Sequence, residues 1–168
     1  FTPFEDWRHV HAAHHATTGD LDRRGAGDVW TLTVEEYLAA SRPRQIAYRF
    51  IRNRFVLLGL VPAGLSLITN RILHRGAGPR ERASVWVTNA AILAVAGAAS
   101  LTIGLGSYLA VQLPVVLVAG TVGVWLFYVQ HQYERVYWAR HKDWDPTRAA
   151  LEDSSYYKLP RLLQWATG

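Results

Sequence analysis

Between Arg82 and Glu134 the chain carries no Asp, Glu, Lys or Arg, an uncharged run of 51 residues. One bilayer crossing takes about 20 apolar residues, so the run is long enough for two. Lipid offers no hydrogen-bond partner to open backbone, and each crossing must satisfy its own polar groups as a helix. The run therefore reads as a hairpin of two membrane helices. The mean hydropathy of the whole chain, +0.01, averages this hairpin with polar segments and conceals both.

Three apolar segments are expected, at about 55–73, 85–103 and 107–129. Arg42, Arg44, Arg49, Arg52 and Arg54 precede the first, and Arg71, Arg75, Arg80 and Arg82 follow it, whereas the linker Gly104-Leu-Gly-Ser107 has no charge. The formal charge of +5 thus gathers beside apolar spans, a membrane pattern and not a nucleic-acid patch, so no nucleic-acid partner is expected. The positive-inside rule places residues 1–54 and 74–82 in the cytoplasm with the short linker outside. Residues 55–73, interrupted by Gly59, Pro62 and Gly64, are then expected to be re-entrant or interfacial. Residues 85–129 form the hairpin, and 130–168 return to the cytoplasmic side. The stretch 45–54, basic and amphipathic with Tyr48 and Phe50, suits a membrane surface.

The chemistry concentrates in Trp7-Arg-His-Val-His-Ala-Ala-His-His15. Thr2-Pro-Phe-Glu5 reads as a capping box opening a helix from about Pro3 through His15. Within it His11, His14 and His15 stand at i, i+3 and i+4, on one helical face. Three imidazoles so crowded repel if protonated, and a metal ion supplies the partner they lack. There is no cysteine, so ligands are confined to nitrogen and oxygen. Spacing does not choose among zinc, copper, iron and nickel. His131, where the uncharged run meets water, is a further candidate ligand, because an ionisable group at the end of a span is a functional candidate. Gln130, Gln132 and Glu134 are candidates for orienting imidazoles. His9 points elsewhere on the helix, and His74 and His141 are expected to be solvated. The aspartates at 20, 22 and 28 read as loop structure, since neither EF-hand spacing nor its closing Glu is present. Thr33-Val-Glu-Glu36 is a second capping box, and Asp145-Pro146-Thr147 and Pro160 mark two more helix starts. The fold class expected is all-α, an integral membrane protein with a cytoplasmic helical metal-binding cap.

Several enzyme classes fall away. HxxHH lacks the glutamate of HExxH, and there is neither a phosphate-binding glycine loop nor a GxSxG elbow.

The run WRHVHAAHHATTGDLDRRGAGDVWTLTVEEY, with FYVQHQYERVYWARH and SSYYKLPRLLQW, resembles the membrane fatty acid desaturases, in particular bacterial acyl-lipid enzymes of the omega-6 (delta-12) type. The resemblance spans nearly the whole chain. It implies a double bond introduced into an acyl chain with dioxygen at a non-haem centre of two iron ions. His11, His14 and His15 match the second of three histidine boxes, and His131 matches a histidine supplied from the end of a membrane helix. An acyl-lipid or fatty acyl substrate, the lipid bilayer and an electron donor such as ferredoxin are the partners implied. The first and third boxes would lie before Phe1 and after Gly168. With no methionine anywhere, the chain is expected to be a fragment that is inactive alone. Two rivals stand beside this reading: a histidine-box hydroxylase acting on alkanes, sterols or carotenoids, and a non-enzymatic membrane metal or haem carrier. The carrier would need a second histidine within a hydrophobic span, and none lies between Arg82 and His131.

Overall fold

The structure, a computed structural model, describes residues 2–25, 27–74 and 76–167. Arg75 of the second arginine group, Phe1 and Gly168 lie outside these. The fold is all-helical, and the one β-type pairing among the described residues is an isolated bridge between Asp20 and Ala139.

Two long helices, α5 (Pro79–Ile103) and α6 (Leu105–His131), are apolar and long enough to cross a membrane. At 1.5 Å per residue each runs to about 38–40 Å, against a hydrocarbon core of about 30 Å. Their apolar side chains face outward: Leu101 is 90% exposed, with Leu93, Val87 and Val111 also bare. In water so large an apolar surface would be a liability, and in lipid it is solvated. Gly104 alone turns α5 into α6, with φ at +83°, a conformation that glycine adopts without strain. The four-residue linker expected from sequence is shorter because Leu105, Gly106 and Ser107 already belong to the first turn of α6.

Residues 55–73 form a π-helical turn (Val56–Leu60), α4 (Val61–Leu67) and a 3-10 turn (Thr69–Arg71). This segment lies at 61° to the preceding helix α3 (Arg42–Ile51) and packs against the middle of α6. The Thr121 hydroxyl donates to the Leu58 carbonyl at 2.7 Å, giving a π-turn carbonyl a partner inside the bundle. Close approach is possible because position 120 is glycine: a Cβ there would sit 2.9 Å from Pro62 Cβ. Gly120→Leu in the full-length protein should therefore cost about 1–3 kcal/mol by overpacking. Thermal unfolding in detergent checks this. Gly123→Leu, with no neighbour within 4 Å, is the control and should leave the midpoint in place.

Helix α1 (Phe4–Thr17) packs along the start of α5. The capping box expected at Thr2 and Glu5 does not form. Pro3 is the N-cap, the Glu5 side chain pairs with Arg8 at 2.8 Å, and the Glu5 N–H donates instead to Ser84 Oγ of α5 at 3.2 Å. A tertiary acceptor has replaced the local one. The Thr33 capping box does form, opening α2 (Val34–Ala39), and the Asp145 carboxylate caps α7 (Pro146–Glu152). A last helix, α8 (Arg161–Thr167), follows Pro160.

Candidate metal centre

Helix α1 places His11, His14 and His15 one turn apart, and the C-terminal end of α6 brings His131 against them. Ring centroids lie 4.6 Å apart for His11 and His15, 5.4 Å for His14 and His15, and 4.8 Å for His14 and His131. His14 and His131 are buried, at 2% and 8% exposure, while His11 is partly covered and His15 is open. Trp7 stacks on His11 at 4.6 Å, and Phe127 closes the other side of His14 and His131.

The hydrogen bonds at the far side of each buried ring decide which nitrogen is free. His14 Nδ1 donates to the Asp28 carboxylate at 2.7 Å, and His131 Nδ1 donates to the backbone carbonyl of Asp153 at 3.0 Å. Carboxylate and carbonyl only accept, so both Nδ1 atoms carry the proton. In the neutral tautomer both Nε2 lone pairs then face each other at 3.4 Å. Two lone pairs so placed repel unless a proton or a metal cation lies between them. His11 and His15 also bring their Nε2 atoms together, 3.2 Å apart. Although open on one side, the His15 imidazole is partly desolvated by the cluster and pushed below its usual range, reinforced by His11, His14 and His131 against the opposing effect of Asp153. The neutral, metal-binding form is thereby favoured.

A second feature that suits a cation is Asp153, 2% exposed. One carboxylate oxygen accepts from the Thr18 hydroxyl and lies 3.6 Å from His131 Nδ1; the other, Oδ1, is buried with no hydrogen bond among the described residues. The void between His14, His131, Asp28 and Asp153 is about 10 Å³, the room of a single water-sized occupant. The donor set therefore fits a metal by its chemistry. The imidazoles meet in pairs, and among the described residues no three or more His, Asp or Glu side chains are grouped to hold a metal ion.

Several expectations change here. None of Gln130, Gln132 and Glu134 bonds an imidazole among the described residues; Gln132 Oε1 accepts from Arg52, and its amide N–H donates to the His131 carbonyl. The orienting groups are Asp28 and Asp153, which sequence reading missed. Asp28 had been assigned to loop structure. His74 and His141 are not merely solvated: His74 Nδ1 donates to Asp6 at 2.6 Å, and His141 Nδ1 donates to Asp20 at 2.8 Å. His9 lies at the surface, 3.9 Å from Glu81.

Asp20 anchors a polar clamp that holds the 18–28 loop against residues 137–145 and so sets where Asp28 stands. Fully buried, it accepts from Arg23, His141 and the Asp22 N–H, while Arg140 bridges Asp22 and Glu36 and Arg24 grips Glu36 with both terminal nitrogens. Burial pushes the Asp20 carboxyl up, but the bonds from Arg23, the Asp22 backbone and His141 together hold it at about 2. The Arg24 bonds, then the Thr33 N–H, hold Glu36 at about 2 as well. Both values lie below those of the unfolded chain. Their stabilisation is complete above pH about 4.5 and is lost as pH falls toward 2, about 2 kcal/mol for Asp20 alone. The unfolding midpoint of the full-length protein should drop steeply below pH 4. In Asp20→Asn that acid-dependent drop should shrink.

Two apolar spans and an imidazole cluster seated at one end of them define a helical membrane protein with a candidate metal centre at the membrane boundary. The chain belongs to the fatty acid desaturase family, whose model matches residues 1–168. It is 51% identical over 166 residues to a protein of Bacillus subtilis (strain 168) described as "Fatty acid desaturase", covering 99% of this chain and 47% of that protein. The chain thus spans about half the length of the curated relative it matches. No solved structure matches it.

Proposed function

We propose that this chain is the part of a fatty acid desaturase that supplies His11, His14, His15 and His131 to a centre of two non-haem irons. The observation that carries the reading is the pair of buried imidazoles whose Nδ1 atoms are locked by Asp28 and the Asp153 carbonyl, leaving facing Nε2 atoms 3.4 Å apart. The irons, when bound, would use dioxygen to remove hydrogen from an unactivated methylene, a step that protein side chains alone cannot perform. The residues of this chain have other tasks. Asp28 and Asp153 hold the tautomers, Phe127 and Trp7 cover the rings, and α5 and α6 set the centre where an acyl chain can reach it from the bilayer. An electron donor such as ferredoxin completes the redox balance. Expression of the full-length protein in a host lacking the product double bond tests this. A new unsaturated acyl chain in the lipid profile supports the reading; a hydroxylated product in its place favours the hydroxylase rival.

The topology proposed is multi-pass, with the histidine cluster on the cytoplasmic side and residues 55–73 re-entrant. What supports it is that both ends of that segment reach the same end of the hairpin. Arg52 bonds Gln132 just beyond α6, and His74 bonds Asp6 of α1, whose Glu5 bonds Ser84 of α5. A reporter fused at Gly78 should report cytoplasm; an external signal there contradicts re-entrance.

A further inference from the structure

An open cleft of about 470 Å³ between α2 and α3, lined by Tyr37, Tyr48, Arg49 and Arg52, has no part in the histidine cluster. Its chemistry is that of a phosphate cradle. Arg49, in the last turn of α3, and Arg52, its C-cap, stand three residues apart, so their side chains project to one side. Arg49 makes no hydrogen bond or ion pair among the described residues. The Arg52 guanidinium lies 5.4 Å over the Tyr128 ring and 6.0 Å over Tyr48, and one terminal nitrogen bonds Gln132. That fixes the plane of the fork and leaves its remaining N–H groups for an anion. The Tyr48 hydroxyl accepts only a long contact from the Leu32 N–H, at 3.5 Å, and its own proton is free to be donated. Guanidinium forks and phenol hydroxyls match the acceptor oxygens of a phosphate diester.

The position of the cleft selects the kind of phosphate. Tyr128 and Gln132 mark the end of the α6 span, so the cleft lies where hydrocarbon gives way to headgroups, on the side of the histidine cluster. Beside these arginines α3 carries a bare apolar strip, with Ile46 67% exposed and Phe50 56% exposed, and Phe55 follows it. A helix whose arginines adjoin a strip of bare Ile and Phe lies at the lipid interface. A soluble phosphate would make no use of that apolar strip. A nucleic acid would meet it with nothing complementary.

We infer that the α2–α3 cleft binds the phosphate of an anionic glycerophospholipid. Gln132, bonded to Arg52 and adjacent to His131, ties the headgroup position to the metal cluster through one residue.

Native mass spectrometry of the full-length protein in detergent, titrated with phosphatidylglycerol, with diacylglycerol of the same acyl chains and with glycerol 3-phosphate, tests the inference. Phosphatidylglycerol should bind about tenfold more tightly than diacylglycerol, the worth of one charge-assisted contact. Arg49→Gln should remove about that factor, and Arg44→Gln, on the same helix but outside the cleft, should not. Arg52→Lys, which keeps the charge and loses the fork, should weaken binding severalfold. Equal binding of phosphatidylglycerol and diacylglycerol overturns the site. Equal weakening by Arg44→Gln and Arg49→Gln overturns it too, since that is diffuse attraction. Glycerol 3-phosphate binding as tightly as the lipid overturns the lipid assignment. Double-bond formation is read on the same preparations. Desaturation without headgroup preference removes only this inference, whereas headgroup preference without desaturation removes the desaturase reading and leaves the cleft.

Discussion

Alanine at position 14 of the full-length protein should abolish double-bond formation, lowering product at least about 100-fold, while the protein still enters the membrane. His14 is the most buried of the four imidazoles and the one that joins α1 to α6, through the 3.4 Å approach to His131. Its removal takes away one donor nitrogen, leaves His131 Nε2 facing an empty space and strands the Asp28 carboxylate. Loss of a metal donor removes the chemistry the side chains cannot replace. Insertion depends on the long apolar stretches of α5 and α6, which His14 meets only at the end of α6, through Phe127 and His131. The lipid profile of the host and the amount of protein in the membrane fraction are the two readouts. His14→Gln, nearer in size, separates a folding defect from a donor defect: it should be equally inactive. Undiminished product from either variant would remove His14 from the site.

Asp28→Ala carries the second largest effect, a loss of about 10–100-fold in iron retention or activity. The carboxylate, 12% exposed, accepts from His14 Nδ1 and from the Gly25 N–H. It fixes the tautomer and the ring plane, and its negative charge makes the opposite nitrogen a better donor. Asp28→Asn keeps an acceptor and loses the charge, so it should fall between wild type and alanine. A protein with three graded activities and one unfolding midpoint would show Asp28 acting through His14. Identical activity in all three would reduce the aspartate to loop structure.

The helical hairpin was legible because charge is counted residue by residue and lipid tolerates so little of it. The cluster on α1 was legible because helical periodicity alone brings positions 11, 14 and 15 to one face. Thr33 and Asp145 announced their helices through local capping chemistry. What escaped reading depends on contacts distant in sequence. Asp28 reaches His14 from fourteen residues away, and Asp153 reaches His131 from twenty-two. The Asp20 to His141 bond spans 121 residues. No periodicity encodes such pairs, so Asp20 and Asp28 read as loop residues, His141 as solvated, and Asp153 gave no signal. Gln132 neighbours His131 in sequence and is a candidate for orienting it, but the Arg52 guanidinium, eighty residues away in the chain, holds its side-chain oxygen. Thr2 carries the signature of a cap, yet Ser84 from another helix supplies the acceptor.

The four-imidazole reading stands or falls on metal content. Iron should be measured per chain in the purified full-length protein and in its His14→Ala and His131→Ala variants, each checked for retention in the membrane fraction. Two irons in the wild type, with at least one lost in each variant, is the expected result. Two irons retained in both variants would contradict the assignment of these histidines as ligands.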